Sequence, residues 1–471
     1  MKILNTCKVG MALTAAAFLG LATSQRADAI SFSLTDLGTL GGNSTYARDI
    51  NNLGQVVGNS STADGQSRAF LWDKNSGMTN LGTLPSKDNY CSGNSYNPCY
   101  SSSSSDAYAI NDLGQVIGTS ATEYRGGYAA WLFELYNASY EQHSFFWDNS
   151  SGMISLVPTG GYYNYTPVIG INNLGQVIGT GYEFGSRYFF FWEKNTSIIR
   201  LQWNCYYLGC NSANAINNSG QVVGSILRTE SGTLRPYPFL WEKNTGMVYL
   251  GTLGVNYGSA NAINDLGQVV GSSTTADGQN RAFLWEKNSG MINLGTLGGY
   301  YDSYGYPIDY SSATAINDYG QVVGSSTTAD GQNRAFFWDN SNGMIDLGSL
   351  GGNSSDAKAI NNLGQVIGYS TTANGQNRPF FWDKSSGMSD LNDLVSPAGW
   401  IINTIAGINN AGQIVGNGLY NGQYRAFVLT PNTSKSVPEP SSALAFLALG
   451  AVGAGSLAKR QRQQQEASSR N

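Results

Sequence analysis

Apolar and polar residues alternate with a period of two over short runs, broken by clusters of Gly, Asn and Asp. Ser259-Ala260-Asn261-Ala262-Ile263, Gln268-Val269-Val270-Gly271-Ser272, Arg281-Ala282-Phe283-Leu284-Trp285 and Met291-Ile292-Asn293-Leu294-Gly295-Thr296-Leu297 read as four strands, A to D. The segments between them, Asn264–Gly267, Ala276–Gln279 and Glu286–Gly290, hold residues that tolerate positive φ in hairpin turns. The unit is a four-stranded antiparallel meander, and it recurs. Ile-Asn-x-x-Gly-Gln followed by two Val or Ile and a Gly occurs eight times, at Asn51, Asn111, Asn172, Asn217, Asn264, Asn317, Asn361 and Asn409. Four strands repeating every 40–50 residues are the signature of a β-propeller blade. The eighth copy has strands A, B and C (Thr404–Asn409, Gln413–Gly418, Tyr424–Leu429) but no D, while Phe32–Leu40 is a D strand with no repeat of its own. An open solenoid would leave both edges unpaired, an aggregation hazard. The expected fold is therefore all-β, an eight-bladed propeller over residues 30–430 closed by its N-terminal strand, with seven blades as the alternative.

Residues present in every copy are expected to hold the blades together. The turn Asn bonds its own turn backbone. The Gly inside strand B (Gly58 to Gly416) marks a bulge or a close backbone approach. Phe and Trp of strand C fill the space between blades, and the Gln after each turn Gly ties blade to blade. The competing reading is a ring of equivalent polar sites around the axis, including weak Ca²⁺ sites of Asn and Asp. No Asp-rich loop of EF-hand spacing supports that reading.

Length varies in the B–C and D–A connections, which a meander places on one face. The inserts are Pro85–Asp106, Ala121–His143, Thr159–Pro167, Gln202–Asn211 and Gly298–Ser312. They are rich in Tyr, Ser, Asn and Gly, a composition that gives rigid amphipathic contact area with adaptable hydrogen bonding. Tyr162, Tyr163, Trp203, Tyr206, Tyr300, Tyr301, Tyr304 and Tyr306 are the expected ligand-binding residues. Aromatic faces beside neutral polar groups suit sugar rings.

Composition narrows the function. Charged residues make up 12% and the formal net charge is -5, so there is no basic footprint for nucleic acid. The lone His143 rules out a His-rich metal site. No catalytic residue, metal ligand or cofactor site is expected. The acidic pairs outside the repeat, Asp302 with Asp309 and Glu134 with Glu141, are the places where a glycosidase or lyase would have to put its acid and base.

The ends give the address. Lys2 and Lys8, the apolar run Met11–Ala22 and Ala27-Asp28-Ala29 make residues 1–29 a secretory signal peptide cleaved after Ala29. After a linker, 431–440, Val437-Pro438-Glu439-Pro440 precedes the apolar Ser441–Ala458 and then Lys459-Arg460-Gln461-Arg462. As a helix, 441–458 would span about 27 Å, enough for one membrane crossing. Pro438, Glu439 and Pro440 with this span and basic end, over 438–462, resemble the PEP-CTERM sorting signal. That resemblance implies a membrane anchor processed by an exosortase-type enzyme, in a family that accompanies exopolysaccharide production; a permanent anchor is the alternative. The polar tail 463–471 departs from the pattern.

The repeats, with Asp-Leu-Gly-Thr-Leu-Gly-Gly, the Asn motif, Ala-Phe-Leu-Trp and Gly-Met, resemble the bacterial extracellular HAF repeat over about residues 32–430. The family's His-Ala-Phe is Arg-Ala-Phe at Arg68, Arg281, Arg334 and Arg425, and His-Ser-Phe at His143. The resemblance implies an exported repeat protein without enzyme activity. Cys7 leaves with the signal peptide. Of the three pairings open to the other four cysteines, Cys91–Cys99 and Cys205–Cys210 read as loop staples of an exported protein. The expected function is a non-catalytic envelope or matrix protein that binds through its Tyr-rich face, with polysaccharide as the first candidate partner. The alternatives are a protein-binding adhesin and, third, a propeller glycosidase or lyase.

Overall fold

A computed structural model of the chain describes residues 30–85, 103–123, 140–156, 167–183, 186–201, 212–230, 232–301, 304–305, 307–395 and 399–432. Every regular element among them is a β-strand. The fifth repeat is representative. Gly254–Ile263, Val269–Thr275, Asn280–Glu286 and Gly290–Asn293 pair antiparallel in chain order. The fourth strand stops short of the expected Leu297. Gly295 takes φ +78° there, and the Asn293 carboxamide accepts the Gly295 N–H at 2.9 Å. Between the sixth and seventh repeats a parallel bridge, Asn333 to Ser354, adds to the packing of the two sheets.

The last repeat contributes Trp400–Ile408, Ile414–Tyr420 and Gln423–Pro431. Its fourth strand comes from the other end of the chain. Phe32–Asp36 pairs antiparallel with Gln423–Pro431, Phe32 opposite Pro431 and Asp36 opposite Phe427. This strand ends at Asp36, not Leu40, because the Asp36 carboxylate accepts the Gly38 N–H at 2.9 Å and turns the chain.

Every first strand carries a bulge, for example between Ala260 and Ala262 and between Ala357 and Ala359. The invariant Gly lies opposite it, on the second strand. A Cβ on Gly368 would lie 2.1 Å from the Asp356 carbonyl oxygen. The glycine thus answers a close approach, while the irregularity sits on the facing strand.

The core is divided among the repeats. Val270, Ala282, Leu284 and Leu294 of one repeat bury against Ala313, Val322 and Phe336 of the next. The same grouping recurs at each junction, and the last joins Phe70 and Trp72 of the first repeat to Val415, Ala426 and Val428 of the eighth. Phe283, Phe336 and Phe380 are fully buried; each contributes about 1.5–3 kcal/mol. First strands of successive repeats stand side by side, and that of the eighth meets that of the first. The fold is an all-β, propeller-like ring of four-stranded sheets. Among the described residues no helix is long and apolar enough to cross a membrane; the span expected at 441–458 lies outside them.

Candidate functional site

The A–B turns converge on the axis. In each, the Asn N–H donates to the carbonyl of the Gln four residues on, and the Gly N–H closes back on the Asn carbonyl, as in Asn361, Gln365 and Gly364. The Asn side chain is buried and fully bonded. In the seventh repeat the Asn361 Nδ2 donates to Gln365 Oε1 at 2.8 Å, and its Oδ1 accepts the Leu363 and Gln365 N–H groups at 3.0 Å. The second Nδ2 hydrogen crosses to the next repeat and meets the Asn409 carbonyl at 3.0 Å.

This crossing bond is made at every junction. Asn51 reaches Asn111, Asn111 reaches Asn172, and so on around to Asn409, which reaches the Asn51 carbonyl at 3.0 Å. The Gln also touches its neighbour. The Gln365 carboxamide lies against Gly412, and Gln413 against Gly54. The turn Asn does more than hold its own turn, and the Gln joins neighbouring repeats by packing.

A second circle lies beside the first. The residue after each ring Asn donates its N–H to the side-chain oxygen of its counterpart in the next repeat. Asn52 meets Asp112 at 2.8 Å, and the circle closes from Asn410 to Asn52 at 3.0 Å. Asp112 accepts Nδ2 from both Asn52 and Asn173; Asp265 accepts from Asn218, and Asp318 from Asn362. The three carboxylates are met by N–H donors of the chain itself.

The two circles, with the Ile before each ring Asn, line an axial cavity of about 370 Å³. One further residue lines it, Asp49. The position two before the ring Asn is Ala109, Gly170, Ala215, Ala262, Ala315, Ala359 or Gly407 elsewhere, so Asp49 alone puts a carboxylate there. Its oxygens accept the Ile50 N–H at 2.8 Å and, across the junction, the Ile110 N–H at 3.1 Å. Burial in the bore pushes its pKa up to about 6 against those two bonds, and the Asp112 charge adds to the rise. Aligning the repeats on one another would have singled it out. Among the described residues, no three His, Cys, Asp or Glu side chains come together as a metal site.

The opposite face carries the inserts. Of the expected binding residues, Tyr300 and Tyr301 form a short strand paired with Pro307–Ile308. The Tyr300 ring lies against Gly331, in the B–C turn of the sixth repeat. Tyr304, at the hairpin tip, is 85% exposed. The hairpin base is clamped by Arg281, whose guanidinium donates to the Asp309 carbonyl and carboxylate. Asp309 is thus engaged by an arginine, and its proposed acid/base partner Asp302 lies outside the described residues. Tyr162, Tyr163, Trp203, Tyr206 and Tyr306 also lie outside them. So do Glu134, Cys91, Cys99, Cys205, Cys210, Ala29, Pro438, Glu439 and Pro440.

Comparison with known proteins gives the following. Residues 436–462 match the PEP-CTERM protein-sorting motif, which implies export, processing by exosortase and anchoring at the cell envelope. Residues 254–427 match a family described as a protein of unknown function, DUF3466. No curated protein matches the chain. A puromycin-hydrolysing peptidase from Mycobacterium tuberculosis is similar at 10% identity and TM-score 0.41, covering 83% of this chain; the chain spans 61% of that protein. The Dos1 propeller is similar at 11% identity and TM-score 0.45, covering 84% of this chain and 95% of its own. A six-bladed fucose-recognising lectin from Aleuria aurantia is similar at 9% identity and TM-score 0.28, covering 60% of this chain and 94% of its own.

Proposed function

We propose that this protein is an exported, eight-bladed propeller of HAF-type repeats that binds polysaccharide at the cell envelope through its insert face, without catalysis. It is made with a signal peptide over 1–29, stapled by Cys91–Cys99 and Cys205–Cys210, and held by a transmembrane helix over 441–458. The observation that carries the binding reading is the clamped hairpin. Arg281 and Asp309 fix its base, and Tyr304 is largely exposed. A rigid base under an exposed aromatic lowers the entropy lost when a ligand binds. The engagement of Asp309 by Arg281 speaks against a free acid/base pair in this insert.

The test is co-sedimentation of the oxidised full-length protein with purified exopolysaccharide, beside a variant whose Gly298–Ser312 is shortened to a blade-like turn. Retention by the wild type and loss in the variant support a sugar site at this insert. Retention by neither rejects polysaccharide and transfers the insert face to a protein partner.

A further inference from the structure

We propose that the A–B turn face lies on the lipid surface of the bilayer that holds the C-terminal segment, with a crown of apolar turn residues dipping into its interface. The insert face then points away from the membrane. The inference rests on reading Ser441–Ala458 as a membrane segment.

The crown is a consequence of the repeat. Each A–B turn presents at its tip the residue two beyond the ring Asn. Six of these are large and apolar: Leu53, Leu113, Leu174, Leu266, Tyr319 and Leu363, 63 to 75% exposed. Ser219 and Ala411 complete the circle. A single exposed Leu needs no explanation, but six on hydrogen-bonded turns around one axis form a directed apolar surface. Their backbones are held by the Asn circle, so little flexibility is lost when they are covered.

The chain itself indicates what covers them. Its last described strand, Gln423–Pro431, runs towards this face. Gln413 in the A–B turn donates to Thr430 Oγ1 at 3.4 Å, and Pro431 packs beside Gly412. The chain therefore leaves the ring at the crown. Residues 433–440 reach at most about 28 Å when fully extended. The nine-residue strand Gln423–Pro431 already spans about 30 Å from face to face. The two lengths are about equal, so only a linker stretched to its limit and laid flat along the blade would bring the apolar run to the insert face.

Charge does not drive this contact, because Asp112, Asp265 and Asp318 of the second circle leave the face acidic. The C–D turns on the same face pair an acid with a lysine, as in Asp73-Lys74, Glu242-Lys243 and Glu286-Lys287. Attraction is then apolar, suited to a zwitterionic bilayer and weakly dependent on salt. A second copy is a poorer occupant, because two chains anchored from the same face in one membrane stand side by side with their crowns in one plane.

The test uses the full chain in phosphatidylcholine vesicles, with photoreactive benzoylphenylalanine replacing Leu266 on the crown or Asp277 on the opposite B–C turn. A second crown reporter at Leu363 guards against a local folding defect. Flotation reports anchoring, and the mass of irradiated products reports the neighbour. The expected result is flotation of all three variants, with lipid adducts at Leu266 and Leu363 at least tenfold above Asp277. Flotation with no lipid adduct at either crown position, or with chain-to-chain products there, overturns the orientation and leaves the anchor standing. Failure to float overturns the anchor and the orientation with it.

Discussion

The asparagine circle makes a prediction that separates a closed ring from a row of independent sheets. Asn361 is 3% exposed, and its side chain makes four hydrogen bonds: to the Asn409 carbonyl, to Gln365 Oε1, and from the N–H groups of Leu363 and Gln365. Replacement by Ala removes all four and leaves the Asn409 carbonyl and the Gln365 groups short of partners. Each bond is worth about 1 kcal/mol net, and Leu363, at an exposed turn tip, recovers its share from water, so N361A is expected to cost about 3–4 kcal/mol. The control is Asn374, whose side chain bonds only Thr372 and Gln376 within an exposed B–C turn. N374A should cost less than about 1 kcal/mol, as surface changes do. The measurement is urea unfolding followed by tryptophan fluorescence, with the midpoint shift read at constant slope. A cost for N361A below about 1 kcal/mol, or no greater than that for N374A, would refute the claim that the circle holds the repeats together.

Two further outcomes follow from local geometry. In G368A the new methyl would meet the Asp356 carbonyl at 2.1 Å, so the strands must part, and a loss of about 3 kcal/mol or more is expected in the same urea assay; an unchanged midpoint would show that the close approach is not required. For Asp49, a folded pKa of about 6 against an ordinary value of 3.8 means that the fold holds the proton more tightly than the unfolded chain. That contribution is complete below pH 3.8 and lost as pH rises through 6. D49N should therefore gain on the wild type by about 2–3 kcal/mol between pH 4 and pH 8, read as the difference of their urea midpoints at the two pH values; a difference that does not change with pH would place the Asp49 carboxylate in an ordinary aqueous setting.

Much of the architecture was legible because it rests on short-range patterning. Two-residue alternation marks the strands and Asn-x-x-Gly marks the turns. A spare strand at Phe32 with a missing one after Pro431 marks where the ends pair. What was not legible depends on which groups meet across a junction. Nothing in Ile-Asn-x-x-Gly-Gln tells that one Nδ2 hydrogen serves the next repeat's carbonyl. The inner Gly correctly indicates crowding, but the bulge belongs to the facing strand, which alternation alone cannot reveal. The apolar pattern runs on past the strand ends at Asp36 and Asn293, because a side-chain oxygen capturing the N–H two residues on ends the strand first. Asp49 and the leucine crown were visible only by comparing the same position across the eight copies.

That comparison also decides where recognition can reside. A side chain that every repeat supplies has every repeat as its partner. The Asn circle is fully bonded, and the carboxylates beside it are met by asparagines, so neither offers an incoming ligand a free donor or acceptor on equal terms. Departures from the repeat are different in kind. The strand C arginines show it most clearly. Arg334, Arg378 and Arg425 each donate to the Gln two residues before them, Gln332, Gln376 and Gln423. Arg281 occupies the equivalent place but reaches Asp309 instead and holds down the tyrosine hairpin. One motif residue has been redirected from its own strand to an insert. The ring thus supplies a rigid, self-satisfied frame, and an insertion gains a fixed position by engaging one side chain of that frame.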